Sequence, residues 1–308
     1  DRFQTAESGE LLLDLGARAF VRAEPGSIVR VAENEACRLI LSLEQGRVDV
    51  HARDLGAGEL EVLGRIVDSS NEALLVSCSD GATQTLAIYK PLQGERALWD
   101  YPDGSLVARE RAAYLISHAA GVDIVPPTVL RDGPFGPGSV QEWIGEVEGE
   151  HAGLVEVVEP QAVPAGWIPV LAAQDQRGRP VLLVHADDAR LRTVAVLDAV
   201  LNNSDRKGSH LILEGDRLRG IDHGVSLGVE PKVRTVLWGW AGQPLTDTDR
   251  GHLQTLNVAL KSSLRTELAP LLTLAAVNAL DERVQALLAD GVHPGPTPGW
   301  PAIPWPAL

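Results

Sequence analysis

Asn202-Asn203-Ser204-Asp205-Arg206-Lys207-Gly208-Ser209-His210, followed by Ile221-Asp222-His223-Gly224, is the stretch on which the reading of this chain turns. Before it, Leu191, Val194, Leu197 and Leu201 recur at helical spacing from Ala189 to Asn202, and the asparagine pair ends the pattern. Leu211 to Leu213 and Leu218 to Ile221, joined through Glu214-Gly215-Asp216, predict a hairpin. The order is therefore helix, acidic loop, hairpin, acidic turn. Asp205 stands in the loop, His210 five residues on, and Asp222 beyond the hairpin. Gly224 suits a sharp turn after the last strand. Read alone, Asp205 is a loop carboxylate paired with Arg206 or Lys207, and Asp222 is a turn residue. Read together, two carboxylates and an imidazole are the side chains that move a proton and hold a divalent cation.

Working outward, other segments fall into order with this pair. They are Leu63-Gly64-Arg65 with Asp68-Ser69-Ser70-Asn71, Tyr89-Lys90-Pro91, Leu98-Trp99-Asp100-Tyr101-Pro102-Asp103-Gly104, Val125-Pro126-Pro127-Thr128, Gly133 to Trp143, and Thr235-Val236-Leu237-Trp238-Gly239-Trp240. On these residues, from about residue 59 to the end of the sequence, the chain resembles the phosphatidylinositol 3-/4-kinase-like superfamily, closest to a little-characterised bacterial branch. The resemblance implies an α+β fold: a two-lobed kinase-like body preceded by a small β-rich segment. Its expected divisions are residues 1–58, an N-lobe at 59–144, and a C-lobe at 145–308 with a Pro/Trp-rich C-terminal strap.

The resemblance also distributes roles. Asp205 would orient the attacking hydroxyl and Asp222 would ligate the metal on the nucleotide phosphates. Lys90 would reach those phosphates, with Glu110 as its ion-pair partner. Ser69, Ser70 and Asn71 would form the turn that covers the phosphates, and Gln141, Glu142 and Trp143 a hinge meeting adenine through the backbone. His210 departs from the pattern, because relatives commonly place Asn there. An imidazole is a softer ligand than an amide oxygen and favours Mn over Mg. His210 as a metal ligand, as a phosphate contact and as a cap on a packed loop all stay open.

The implied activity is ATP-dependent phosphoryl transfer to a hydroxyl of a protein or soluble small molecule, with ATP and Mg or Mn bound. A non-catalytic nucleotide-binding regulator and AMP transfer from the same cleft are the alternatives. Composition constrains the partners. The net charge of −15 opposes nucleic acid and anionic membrane surfaces, both of which recruit Lys and Arg. There is no run of about 18 apolar residues, so no integral membrane association is expected. The first residues lack a secretory pattern, and Cys37 and Cys78 make no disulfide framework, which points to the cytoplasm.

The remaining expectations are structural. Ala19 to Arg22, Ser27 to Val31 and Arg47 to His51 read as strands, and Ala36 to Leu43 fits either strand or helix. Glu61 to Val67, Ala73 to Ser77, Thr85 to Tyr89, Thr128 to Leu130 and Ser139 to Ile144 read as strands, and residues 105–119 as a helix that Ser105 would cap. Residues 145–185 carry no clear pattern, since Pro160, Pro164 and Pro169 interrupt it. Leu253 to Leu264 and Glu267 to Leu288 read as helices, and His293 to Leu308 as a strap packed by Trp300 and Trp305. His185, Asp187 and Asp188 are read as a capped loop rather than a metal site, and Trp238 and Trp240 as core.

Overall fold

A computed structural model describes residues 60–66, 71–79, 84–96, 98–101, 106–145 and 153–308 in full, and the backbone of further strands within residues 2–59. Those N-terminal strands are β1 (Arg2–Gln4), β2 (Leu11–Asp14), β3 (Ala19–Ala23), β4 (Ile28–Glu33), β5 (Leu39–Gln45) and β6 (Val48–Ala52). They form two antiparallel sheets, β1-β4-β5 and β2-β3-β6. The ambiguous segment is resolved as strand from Leu39; Ala36 lies outside the described residues, as does the Ser105 cap. The chain divides into two compact units, Asp1–Glu59 with Ser79–Gln84, and Leu60–Cys78 with Thr85–Leu308.

The second unit begins with β7 (Glu59–Arg65), β8 (Leu74–Ser79) and β9 (Gln84–Pro91), then α1 (Leu106–Ala119), β10 (Thr128–Gly133) and β11 (Gly136–Glu142). The strands make one sheet in the order β10-β11-β9-β8-β7. Its small core is Leu74, Val76, Cys78, Ala87, Tyr89 and Val140. Tyr89 reaches across to donate its hydroxyl to Gly136 O at 2.5 Å. Gly138 makes this approach possible, because a Cβ there would stand 2.6 Å from Tyr89 Cε2.

Next come β12 (Val155–Val158), β13 (Trp167–Gln174) and β14 (Pro180–Ala186), an antiparallel sheet ordered β12-β14-β13 that the sequence did not announce. The prolines explain why. Pro180 opens β14, and Pro169 sits at a bulge in β13, where the register shifts before Leu171. Proline is tolerated at strand starts and bulges because no ladder N–H is needed there.

α2 (Ala189–Leu201) matches its predicted span. Asp188 accepts from Arg190 N–H at its start, and Asn202, at φ 51°, ends it in the left-handed conformation that Asn adopts more readily than most residues. The hairpin is β15 (Leu211–Glu214) with β16 (Arg217–Gly220). The helical C-terminal region differs from expectation. α3 (Asp247–Leu260) carries a capping box between Thr246 and Asp249, α4 (Ser263–Leu268) is short, and α5 (Leu274–Asp290) starts after Pro270. Pro270 prevents one helix from running through the predicted Glu267 to Leu288 span. These helices pack with α1 and α2 into the main core, which includes Ile116, Leu191, Leu201, Leu253 and Leu280. Trp240 is in that core at 1% exposure; Trp238 is half-buried. None of the described helices is long and apolar enough to cross a membrane.

Trp240 lies between two histidines, with ring centroids 4.3 Å from His185 and 6.4 Å from His293. Both rings are held neutral. His185 Nδ1 donates to Ala186 O at 2.8 Å, so its Nε2 accepts from Gly239 N–H at 3.1 Å. His293 Nε2 accepts from Arg192 Nε at 3.1 Å. Burial pushes both imidazoles below their ordinary range, and the Arg192 charge adds to this at His293. The folded state therefore binds fewer protons than the unfolded chain once pH falls through about 6.5, the unfolded value. Stability is expected to be flat above that pH and to decline below it, before ordinary carboxylates titrate. Urea unfolding of wild type and His293→Gln between about pH 7.5 and about pH 5.5 checks this. Equal slopes in the two proteins would remove His293 from the effect.

Candidate active site

Lys90 leaves the end of β9 and enters a charged chain. Its Nζ lies 2.5 Å from Glu110 Oε1 and 2.7 Å from Asp222 Oδ1. Glu110 sits on α1 at 3% exposure, and its other oxygen accepts His223 N–H at 2.9 Å. Glu110 thus holds both the lysine and the turn that carries Asp222. Burial works against the Lys90 charge, but Asp222 and Glu110 outweigh it and raise its pKa above the usual lysine value. The Lys90 charge in turn holds the Asp222 carboxyl far below the ordinary range.

Asp222 has φ 59°, a left-handed conformation that is uncommon for a residue with a Cβ. Such a residue at a charged centre is a strained position that the surrounding structure must enforce. Half of its side chain stays open to solvent, at 48%. Its Oδ2 faces His210 Nε2 at 3.5 Å. Burial pushes His210 down to about 4, with Asp222 opposing, so the ring is neutral near pH 7, the form that can ligate a metal. Among the described residues no group of three or more His, Cys, Asp or Glu could hold a metal. A carboxylate oxygen and a neutral imidazole nitrogen facing one another do fit two positions of a divalent ion, with phosphate oxygens and water for the rest.

Asp205 sits beside this chain. Its amide is fixed by Asn203 Oδ1 at 3.0 Å, and its Oδ2 pairs with Lys207 Nζ at 3.0 Å. Burial pushes its carboxyl up, while Lys207 and Arg234 offset part of the shift and Asp222 adds to it. A carboxylate with a raised pKa, held by its loop and only partly exposed, is suited to accept a proton.

Lys90, Glu110, His210 and Asp222 are thus directly linked, and Asp205 is near enough for the Asp222 charge to act on it. Other predicted positions lie elsewhere. Ser69 and Ser70 are outside the described residues. Asn71 Oδ1 accepts from Arg96 N–H at 2.9 Å. The Gln141 side chain is buried and donates to Thr128 Oγ1 at 2.8 Å. The hinge amides are already engaged, Glu142 N–H with Pro127 O at 2.9 Å and Trp143 N–H with Leu86 O at 3.0 Å. An antiparallel pair would normally return the first of these bonds, but Pro127 has no N–H. The Glu142 carbonyl is therefore the hinge group left without a donor from that partner.

No family model matches the sequence. Protein Rv2133c of Mycobacterium tuberculosis is 45% identical over 270 residues, spanning 85% of this chain and 96% of its own length. The chain belongs to the family of Protein Rv2133c.

In this Rv2133c relative the hub of the site is a residue that sequence reasoning treated only as a neighbour. Arg206 is wholly buried and ion-paired to the equally buried Asp198 at 3.0 Å. It also donates to Ile221 O at 3.1 Å and bonds His223 Nε2 at 2.7 Å. One guanidinium therefore joins α2, the Asp205 loop and the Asp222 turn. The available signal was Asp198 in an otherwise apolar stretch of α2, a buried carboxylate that requires a partner. Of the two cations that the sequence offered Asp205, the structure pairs it with Lys207, which is 16% exposed.

Proposed function

We propose that this chain is an ATP-dependent phosphotransferase of two-lobed, kinase-like architecture, acting on a hydroxyl of a soluble acceptor in the cytoplasm. The observation that carries this reading is Lys90 bridging Glu110 at 2.5 Å and Asp222 at 2.7 Å, with Asp205 near enough for the Asp222 charge to act on it. Phosphoryl transfer is largely positioning and charge neutralisation, and these are the parts that supply it. Lys90 has the charge and reach to hold phosphate oxygens while Glu110 keeps it extended. Asp222 and His210 would hold a divalent ion, which when bound neutralises charge on the phosphates. Asp205 takes the hydroxyl proton, and Lys207 beside it keeps that carboxylate directed and its charge partly screened. The Glu142 carbonyl can accept from the adenine amine.

Calorimetry with ATP and Mg or Mn tests the site. Wild type should bind, and Asp222→Ala should weaken binding by at least about tenfold, roughly 1.4 kcal/mol. Equal affinity in both proteins would take Asp222 out of the site. ATP labelled separately at the α- and γ-phosphates then distinguishes phosphoryl from AMP transfer, and binding without transfer to any acceptor would favour a regulator.

A further inference from the structure

Residues 300–308 contain no helix or strand, yet they are pinned along their length. Ala302 O accepts from Thr235 N–H at 3.1 Å and from Trp238 Nε1 at 2.8 Å. Ile303 O accepts from Arg234 Nη2 at 3.2 Å, and Ala307 O from Gly208 N–H at 2.8 Å. Trp300 stacks on Trp99 with centroids 6.0 Å apart and planes at 19°. Lys232 Nζ lies 4.3 Å over the Trp300 ring and is ion-paired to Asp100. The predicted aromatic packing thus falls to Trp300; Trp305 is 88% exposed.

These anchors fall on the segments that build the candidate site. Gly208 lies between Asp205 and His210. A Cβ at 208 would stand 2.8 Å from Leu308 Cδ2 and 3.1 Å from Val155 Cβ, so the strap seats closely there because the residue is glycine. Residues 234–236 bond to the Asp205 loop: Arg234 N–H to Asn203 O at 2.9 Å, Arg206 N–H to Arg234 O at 3.1 Å, and Val236 N–H to Arg206 O at 3.2 Å. Trp99 belongs to the connection between Lys90 on β9 and Glu110 on α1. Tyr101, two residues on, meets Ser204 Oγ at 3.1 Å. The strap therefore touches the proton-accepting loop, the segment after Asp222, and the connection between the lysine and its partner.

We propose that residues 300–308 are a positioning element of the transfer site. The Ala307 carbonyl holds the Asp205–His210 loop directly at Gly208, the Ala302 and Ile303 carbonyls hold residues 234, 235 and 238, which adjoin that loop through backbone bonds, and Trp300 on Trp99 ties the strap to the connection between Lys90 and Glu110. Gly208 would leave the loop pliable, and Ala307 supplies the acceptor that fixes its amide. Ile303 fixes Arg234, a cation that acts on Asp205 and whose Nε has no hydrogen-bond partner among the described residues. A reacting group displaced by 1 Å can lose about 100-fold in rate.

The activity arm of the test rests on the phosphotransferase reading; the exchange arm does not. In the full chain, Trp300→Ala should keep ATP affinity within about threefold while kcat falls by at least about tenfold, and Trp300→Phe should recover most of the loss. Amide exchange should quicken at 203–210 and 232–238 in Trp300→Ala and leave α2 and α5 unchanged. A strap with a merely structural role would lower thermal stability with kcat per folded molecule unchanged, and that result overturns the proposal. If wild type transfers no phosphate to any acceptor, the phosphotransferase reading fails. The strap is then judged by exchange, and unchanged rates at 203–210 in Trp300→Ala would overturn it.

Discussion

Asp205→Asn is expected to retain ATP and lose transfer, with kcat lower by about 100- to 10,000-fold, the range for removing a positioned general base. The substitution preserves size and removes the charge that, in the proposed reaction, takes the hydroxyl proton. The Asp205 amide stays bonded to Asn203 Oδ1, so the loop has no reason to move. Lys207 loses its ion-pair partner, but at 16% exposure it can turn to water. Nucleotide affinity should therefore be nearly unchanged, because Lys90, Asp222 and His210 are untouched. Single-turnover transfer from γ-labelled ATP, alongside calorimetry, separates the two effects. An Asn variant as fast as wild type would end the proton-accepting role assigned to Asp205.

Asp198→Ala is expected to have the largest effect on stability, about 3–5 kcal/mol. The carboxylate is wholly buried and accepts from Arg206 Nε at 3.1 Å, Arg206 Nη2 at 3.0 Å, Asn203 Nδ2 at 2.9 Å and Thr235 Oγ1 at 3.2 Å. Its removal leaves a guanidinium at 0% exposure without a counter-charge. A loss of that size is a substantial part of the 5–15 kcal/mol typical of a folded domain. Arg206→Lys should also be costly, since one ammonium cannot replace a planar fork that serves Asp198, Ile221 and His223 together. Urea denaturation measures both, and a midpoint within error of wild type for Asp198→Ala would show the pair to be dispensable. ATP affinity of the folded fraction should fall as well, because Arg206 ties the Asp205 loop to the Asp222 turn.

Much of the local structure around the candidate site was legible without coordinates. The span of α2 follows from its apolar spacing and the asparagine that ends it, and the β15–β16 hairpin from the turn residues between two apolar runs. Lys90 at a strand end and Glu110 on the next helix were readable for the same reason. Capping, turn chemistry and periodicity act over a few residues, so one stretch of sequence contains their causes. The β12-β14-β13 sheet was hidden because its prolines occupy a bulge and a strand start, which look like breaks until the neighbouring strand is known.

What the sequence determined by itself was the set of elements and the identity of the charged residues they carry. Only the tertiary structure decided that Lys90 meets Asp222, 132 residues away, that Arg206 is the buried hub, that the Glu142 and Trp143 amides are engaged in the sheet, and that the strap ends on Gly208. The reason is physical. A local propensity is a property of neighbouring residues, whereas a buried ion pair or a closely seated backbone exists only when distant elements pack in one register and cover the desolvated charges together.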